Sequence, residues 1–377
     1  MNHRGNNFDV LRFALATAVI YSHSFPLTRG EEQAFEPLHW YSGAQMSIGA
    51  LAVDSFFIIS GFLITHSWVR GRGVVDFFRK RALRIYPGYI VTVALCLLVV
   101  APIAGAELVR IVAPANLGRV AWKTTQLLGH VERTVFPDNP YPYALNGSLW
   151  SIRFEFACYV LTPILALLGL LSRRRWMVGV LAALLACQAV LVFIDPPAAG
   201  GMAEAGERFG NVHTLLRCMV FYFAGVVCYL YQDRLPRGAW VALAALSAFL
   251  VAALVPHGLL FVAPVALSLM IFWFAFNERI GCQNFASRGD FSYGVYLYAF
   301  PIQQLLVMYA GPWQPTTLFL AALVPTCGMA ALSWYLVERP CLRLKSRPTR
   351  ATAPASAAAV AELLPAAATV PALEQQS

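Results

Sequence analysis

The fold class this sequence predicts is all-α: a polytopic integral membrane protein of about ten transmembrane helices, with both termini cytoplasmic. Three observations predict it. Of the 377 residues, 59% are apolar and only 12% are charged, against about 25% charged in a soluble domain. The mean hydropathy is +0.61, and so few charges could not cover the exterior of a water-soluble fold of this size. The apolar residues also fall into runs of about 20, the length that crosses a hydrocarbon core of roughly 30 Å. Aromatics make up 13% of the chain, which excludes disorder for its body.

The first run, 8–26, holds Asp9, Arg12 and His23, and no small-residue cleavage site follows it. It is therefore read as a retained span and not a signal peptide. Further spans are expected over 47–69, 86–105, 148–171, 176–194, 212–232, 238–255, 259–277, 291–310 and 316–337. The longest connection, 106–147, carries the aromatic and proline stretch Phe136-Pro137-Asp138-Asn139-Pro140-Tyr141-Pro142-Tyr143 and is expected to fold over the outer mouth. The sequon Asn146-Gly147-Ser148 abuts the fourth span and reads as incidental. Residues 1–345 form the transmembrane domain, and the Ala- and Pro-rich 346–377 reads as a disordered cytoplasmic tail.

Charge sets the orientation. With the N-terminus inside, nineteen of the 28 Lys and Arg residues lie on the cytoplasmic side, six lie outside, and Arg12, Arg153 and Arg217 lie within spans. The net charge of +9 is thus largely topological, and no soluble basic domain exists to bind nucleic acid. The eight cysteines show no C-x-x-C pair and no zinc spacing with histidine, so they are read as packing residues and no metal site is expected.

Ionisable residues inside spans are costly and mark cavities or partners. Arg12 and His23 are eleven residues apart, close to three full turns, so they share a helix face at a separation of roughly 16 Å. Arg12 falls near the cytoplasmic end and His23 near the outer end. Asp54 in the second span and Glu155 in the fourth fall at a depth similar to that of His23. An imidazole beside a carboxylate is the basic unit of general-base catalysis on a hydroxyl. The competing assignment is that Asp54 and Glu155 neutralise Arg217 and Arg153. On the inner side, Arg81 and Arg84 stand in the densest basic cluster, three residues apart, and guanidinium forks suit phosphate oxygens. Anchoring by positive charge at the inner face is the alternative there.

Several segments, in order, resemble the acyltransferase 3 family of integral-membrane acyltransferases. They are Asn7-Phe8-Asp9-Val10-Leu11-Arg12 with the R-x10-H pair Arg12 and His23, then Val53-Asp54-Ser55-Phe56-Phe57-Ile58-Ile59-Ser60-Gly61, then Arg81-Ala82-Leu83-Arg84-Ile85-Tyr86-Pro87. Trp150-Ser151-Ile152-Arg153-Phe154-Glu155, Ser292-Tyr293-Gly294-Val295-Tyr296-Leu297 and Glu338-Arg339-Pro340 complete the set. Many members carry His where this chain has Ala299, and some append a hydrolase-like domain that is not expected here. The resemblance implies an acyl-CoA donor, acetyl-CoA above all, whose phosphates Arg12, Arg81 and Arg84 would hold. It implies a glycan or lipid-linked sugar acceptor, His23 as general base oriented by Asp54 or Glu155, and residence in the inner membrane. Two rivals remain: a transporter of a small polar or acylated solute, and an acyltransferase for a secreted small molecule.

Overall fold

The computed structural model describes residues 6–30, 36–130, 134–194 and 210–344. Among them there is no strand, and ten long helices follow in order: α1 Phe8–Arg29, α2 Ile48–Val69, α3 Val74–Leu95, α4 Trp150–Leu167, α5 Arg174–Ile194, α6 Gly210–Leu230, α7 Ala239–Ala253, α8 Gly258–Phe276, α9 Ser292–Ala310 and α10 Pro315–Ser333. A π-helical turn carries α3 on to Ile103, and another carries α10 on to Arg343. The tail expected at 346–377 lies outside the described residues.

Eight of these helices are long and apolar enough to cross a membrane: α1 to α6, α8 and α10. The other two expected spans fall on α7, with 15 residues, and α9, with four tyrosines and two glutamines. The molecule is thus a polytopic helical membrane protein.

The third expected span begins too late. The basic stretch taken for an inner loop is the opening of α3, which starts at Val74. Gly73, at φ 119°, makes the sharp entry that a side chain would resist. Asp76 in the first turn then pairs with Lys80 at 2.5 Å and Arg79 at 3.4 Å, the helical i,i+4 and i,i+3 neighbours that favour continued winding.

Burial ranks the helices. Of the apolar stretch of α2, 67% is buried, against 11% for α5, so α2 is central and α5 peripheral. α2 and α6 meet backbone to backbone through glycines. A Cβ on Gly61 would sit 1.9 Å from the Tyr222 carbonyl oxygen, and one on Gly225 would sit 2.0 Å from that of Ile58. In lipid, where apolar side chains gain little by leaving their solvent, such close small-residue contacts hold helices together. Gly225→Leu is therefore expected to cost about 3 kcal/mol, as overpacking against rigid backbone does, and to lower the unfolding temperature of the detergent-solubilised protein.

α1 packs against α2, α9 and α10. At one end of the bundle, Asn7 donates to the carbonyls of Phe274 (3.1 Å) and Asn277 (2.9 Å), so the start of α1 meets the end of α8. At the other end, the connection after α3 is fastened to α9. Asn139 Nδ2 donates to the Gln304 carbonyl at 3.0 Å and to its Oε1 at 2.7 Å, while Gln304 Nε2 donates to the carbonyls of Tyr141 and Ala144. Pro301 has no N–H to offer the Leu297 carbonyl one turn back. Asn146 Nδ2 supplies the donor at 2.9 Å, and its Oδ1 accepts from the Ser148 N–H at 3.0 Å. The sequon asparagine is thus a splice between the outer segment and α9.

Only part of that connection covers the mouth. Tyr86 and Tyr89 of α3 donate to the carbonyls of Thr125 and Leu128 at 2.8 Å. Phe136 returns to donate from its N–H to Ala104 at the far end of α3. The 15 residues between Tyr89 and Ala104 rise roughly 22 Å at helical pitch. The segment therefore runs down the flank of α3 and back.

Candidate active site

His23 lies in the C-terminal half of α1, 4% exposed. Its ring meets the ring of Phe300 edge-on, at 5.2 Å and 83°, and its Nδ1 is buried with no hydrogen-bond partner among the described residues. The two carboxylates expected to converge on it are engaged elsewhere. Asp54, 1% exposed, takes a forked pair from Arg217, with Nε at 3.1 and 3.2 Å and Nη2 at 2.7 Å. Glu155 accepts from the Ser60 hydroxyl at 2.9 Å and from the hydroxyl of Tyr159, one turn along α4. Equal depth does not bring side chains together when they point round their helices in different directions. The Arg153 guanidinium lies over the Phe154 ring at 4.4 Å.

At the N-terminal end of α1 the arginines do gather. Arg12 Nη1 and Arg84 Nη2 share one oxygen, Oδ2 of Asp290, at 3.1 and 2.5 Å. Arg84 also faces Glu338 at 3.7 Å and lies over the Tyr293 ring at 5.5 Å. Ser333 donates to Glu338 at 3.1 Å and accepts from Tyr298 at 3.1 Å. Asp290, just before α9, accepts at Oδ1 from the Ser292 hydroxyl (2.5 Å) and N–H (3.2 Å). Burial alone would raise the Asp290 carboxyl, but the Arg84 and Arg12 guanidiniums and the Ser292 donors prevail and hold it well below the usual range. Arg81, one turn before Arg84, makes contacts of its own. It donates to Ser67 at 3.1 Å and lies over the rings of Phe77 and Tyr159.

Polar groups link the two ends. Tyr293 and Tyr296 succeed each other along one face of α9. The first lies beneath Arg84 and donates to the Ile85 carbonyl at 2.9 Å; the second shares a hydrogen bond of 2.7 Å with Ser151, one turn from Glu155. Phe300, one turn further, closes this face at His23 and also meets Tyr141 of the outer segment. Two surface pockets, one lined by Gln232, Leu235, Phe272 and Phe276 and the other by Arg173–Trp176, include neither His23 nor Arg12, Arg81 and Arg84. Asp290 and Glu338 escaped sequence reasoning as charge partners. The available signal was an acid at each end of the last two expected spans, Asp290 before the first and Glu338 after the second.

Chemically, the arrangement offers guanidiniums for an anion at one end of a buried helix and a titratable base at the other. A family model described as an acyltransferase domain, acyltransferase 3, matches residues 6–338. An "O-acetyl transferase" of Shigella phage Sf6 is 26% identical, covering 89% of this chain and 96% of its own length. "Nodulation protein 10" of Rhizobium leguminosarum bv. viciae is 27% identical over 91% and 95%, and "Exopolysaccharide production protein ExoZ" of Rhizobium meliloti is 27% identical over 83% and 95%. No solved structure matches the chain. With the family match spanning nearly all of the bundle and both ends of the site, the chain belongs to the acyltransferase 3 family and is a membrane-embedded O-acyltransferase.

Proposed function

We propose that this enzyme sits in the inner membrane and moves an acyl group, acetyl foremost, from cytoplasmic acyl-CoA to a hydroxyl of an envelope or exported glycan. The observation that carries the reading is the placement of Arg12 and His23 at opposite ends of one buried helix, with Tyr293, Glu155 and Tyr296 between them. A donor whose phosphates lie far from its thioester along an extended arm suits such a two-ended site. The relatives' names, O-acetyl transferase and exopolysaccharide production protein, support the acyl group and the glycan acceptor.

In the reaction, the neutral imidazole of His23 takes the acceptor hydroxyl's proton as its oxygen attacks the thioester carbonyl. The C–S bond breaks, and the leaving thiolate takes the proton back from the imidazolium. Neither carboxylate orients the ring in this scheme. Asp54 pins Arg217, and Glu155 lines the path between the two ends through Ser60 and Tyr159. Arg12, Arg81 and Arg84 hold the donor phosphates, with Asp290 giving up its place on Arg12 and Arg84 to the incoming anion.

Purified protein in liposomes, given acyl-labelled CoA and glycan, is expected to transfer label; a transporter would transfer none. The Arg81→Ala, Arg84→Ala double variant is expected to raise KM for acyl-CoA by about tenfold or more, the worth of one lost charge-assisted hydrogen bond. An unchanged KM would reduce the pair to anchors.

A further inference from the structure

We propose that Glu338 is the positioning residue of the donor site: its unfilled carboxylate oxygen takes over Arg84 when a donor phosphate displaces Asp290. This rests on the reading of Arg84 as a ligand of the acyl-CoA phosphates. Arg84 lies between two acids of unequal burial. Its Nη2 is 2.5 Å from Asp290 Oδ2, and its Nη1 is 3.7 Å from Glu338 Oε2. The side chains of Arg12, Arg84 and Asp290 are 24%, 18% and 17% exposed, whereas that of Glu338 is 2% exposed. An entering anion therefore reaches the first three before it reaches Glu338.

The two oxygens of Glu338 are unequally used. Oε1 accepts from Ser333 at 3.1 Å, and Ser333 in turn accepts from Tyr298 at 3.1 Å. Ser333 and Glu338 are five residues apart, which on an α-helix leaves them about 140° apart round the axis. The π-helical turn over Trp334–Glu338 brings them to one side, since its hydrogen bonds run from i to i+5. Oε2 is buried and accepts no hydrogen bond among the described residues, although buried acceptors are normally satisfied. Arg84 is roughly 1 Å short of supplying one. The same π-helical turn is seated on the segment that carries Asp290. A Cβ on Gly289 would sit 2.2 Å from Trp334 Nε1, and the Phe291 ring meets those of Trp334 and Tyr335 at 6.3 and 6.1 Å. Asp290 is itself held at Oδ1 by Ser292. The two acids are thus fixed relative to each other, and the guanidinium is the part that moves. Arg84 lies over the Tyr293 ring at 5.5 Å. Sliding over that ring carries it toward Glu338 and leaves N–H groups of its five-donor fork for the anion. An arginine already held on one side presents its remaining donors in a fixed direction.

The test measures calorimetric binding of CoA and acyl-transfer kinetics with the full-length enzyme. Glu338→Gln keeps an oxygen for Ser333 and removes the charge that draws Arg84. It is expected to raise Kd for CoA and KM for acyl-CoA about tenfold or more, as loss of one charge-assisted contact does, with kcat and acceptor KM unchanged. In an Asp290→Asn background Arg84 has no ion pair to leave there, and the same substitution is expected to change Kd by less than about threefold; an undiminished effect would overturn the exchange between acids. A bystander carboxylate gives the opposite sign in the wild-type background: neutralising it strengthens anion binding and lowers Kd, which overturns the proposal. An unchanged Kd, with or without a lower unfolding temperature, overturns it as well. If Glu338→Gln does not fold, Glu338→Asp keeps the charge but withdraws it by one methylene; a Kd raised about threefold or more supports the seat, and an unchanged one overturns it. Arg84→Ala separates the underlying reading. If it leaves Kd for CoA unchanged, the donor reading fails and the seat with it, whereas a raised Kd there beside an unchanged one in Glu338→Gln removes Glu338 alone.

Discussion

His23→Ala is expected to lower acyl transfer by about 10²–10⁴-fold, the usual contribution of a general base, with protein level and unfolding temperature retained. Among the described residues Nδ1 makes no hydrogen bond and the ring meets the edge of Phe300, so the change leaves no described partner of Nδ1 unpaired. Loss of activity therefore reports chemistry and not collapse. The measurement is label transfer from acyl-CoA in liposomes at matched protein concentration. Full activity in the variant would remove His23 from the mechanism.

Arg217→Ala is expected to cost about 3–5 kcal/mol of stability, since removing one partner of a buried ion pair leaves the other charge uncompensated. Asp54 is 1% exposed and held by the forked guanidinium, and inside a membrane bundle no water replaces what is lost. The double variant Asp54→Leu, Arg217→Met removes both charges at similar bulk. It is expected to recover most of that stability, because replacing a whole buried pair by apolar side chains is often neutral. Unfolding temperatures in detergent measure both effects. Activity then separates two roles for Asp54: a folded, active double variant assigns it to structure alone, whereas a folded, inactive one returns it to the chemistry.

The helical segments were legible because a span needs about 20 apolar residues, a requirement written directly into composition. The start of α3 was not, since Arg79, Lys80, Arg81 and Arg84 read as an interfacial loop while the tie of Arg79 and Lys80 to Asp76 lets the stretch wind as helix. Arg12 and His23 could be placed together because both lie on one helix, where spacing fixes direction. Asp54 and Glu155 could be assigned a depth but no azimuth, which packing alone decides; the pairing of Asp54 with Arg217 was one of two open alternatives. Asp290 and Glu338 meet their partners across α1 and α3, and no local periodicity records such encounters.

Gly61 and Gly225, each seated against the other helix's carbonyl, fix more than a distance. Sliding α2 past α6 by one turn would drive side chains into both seats, so this pair behaves as a stator. Whatever shift admits a bulky substrate is therefore not a slide along this seam.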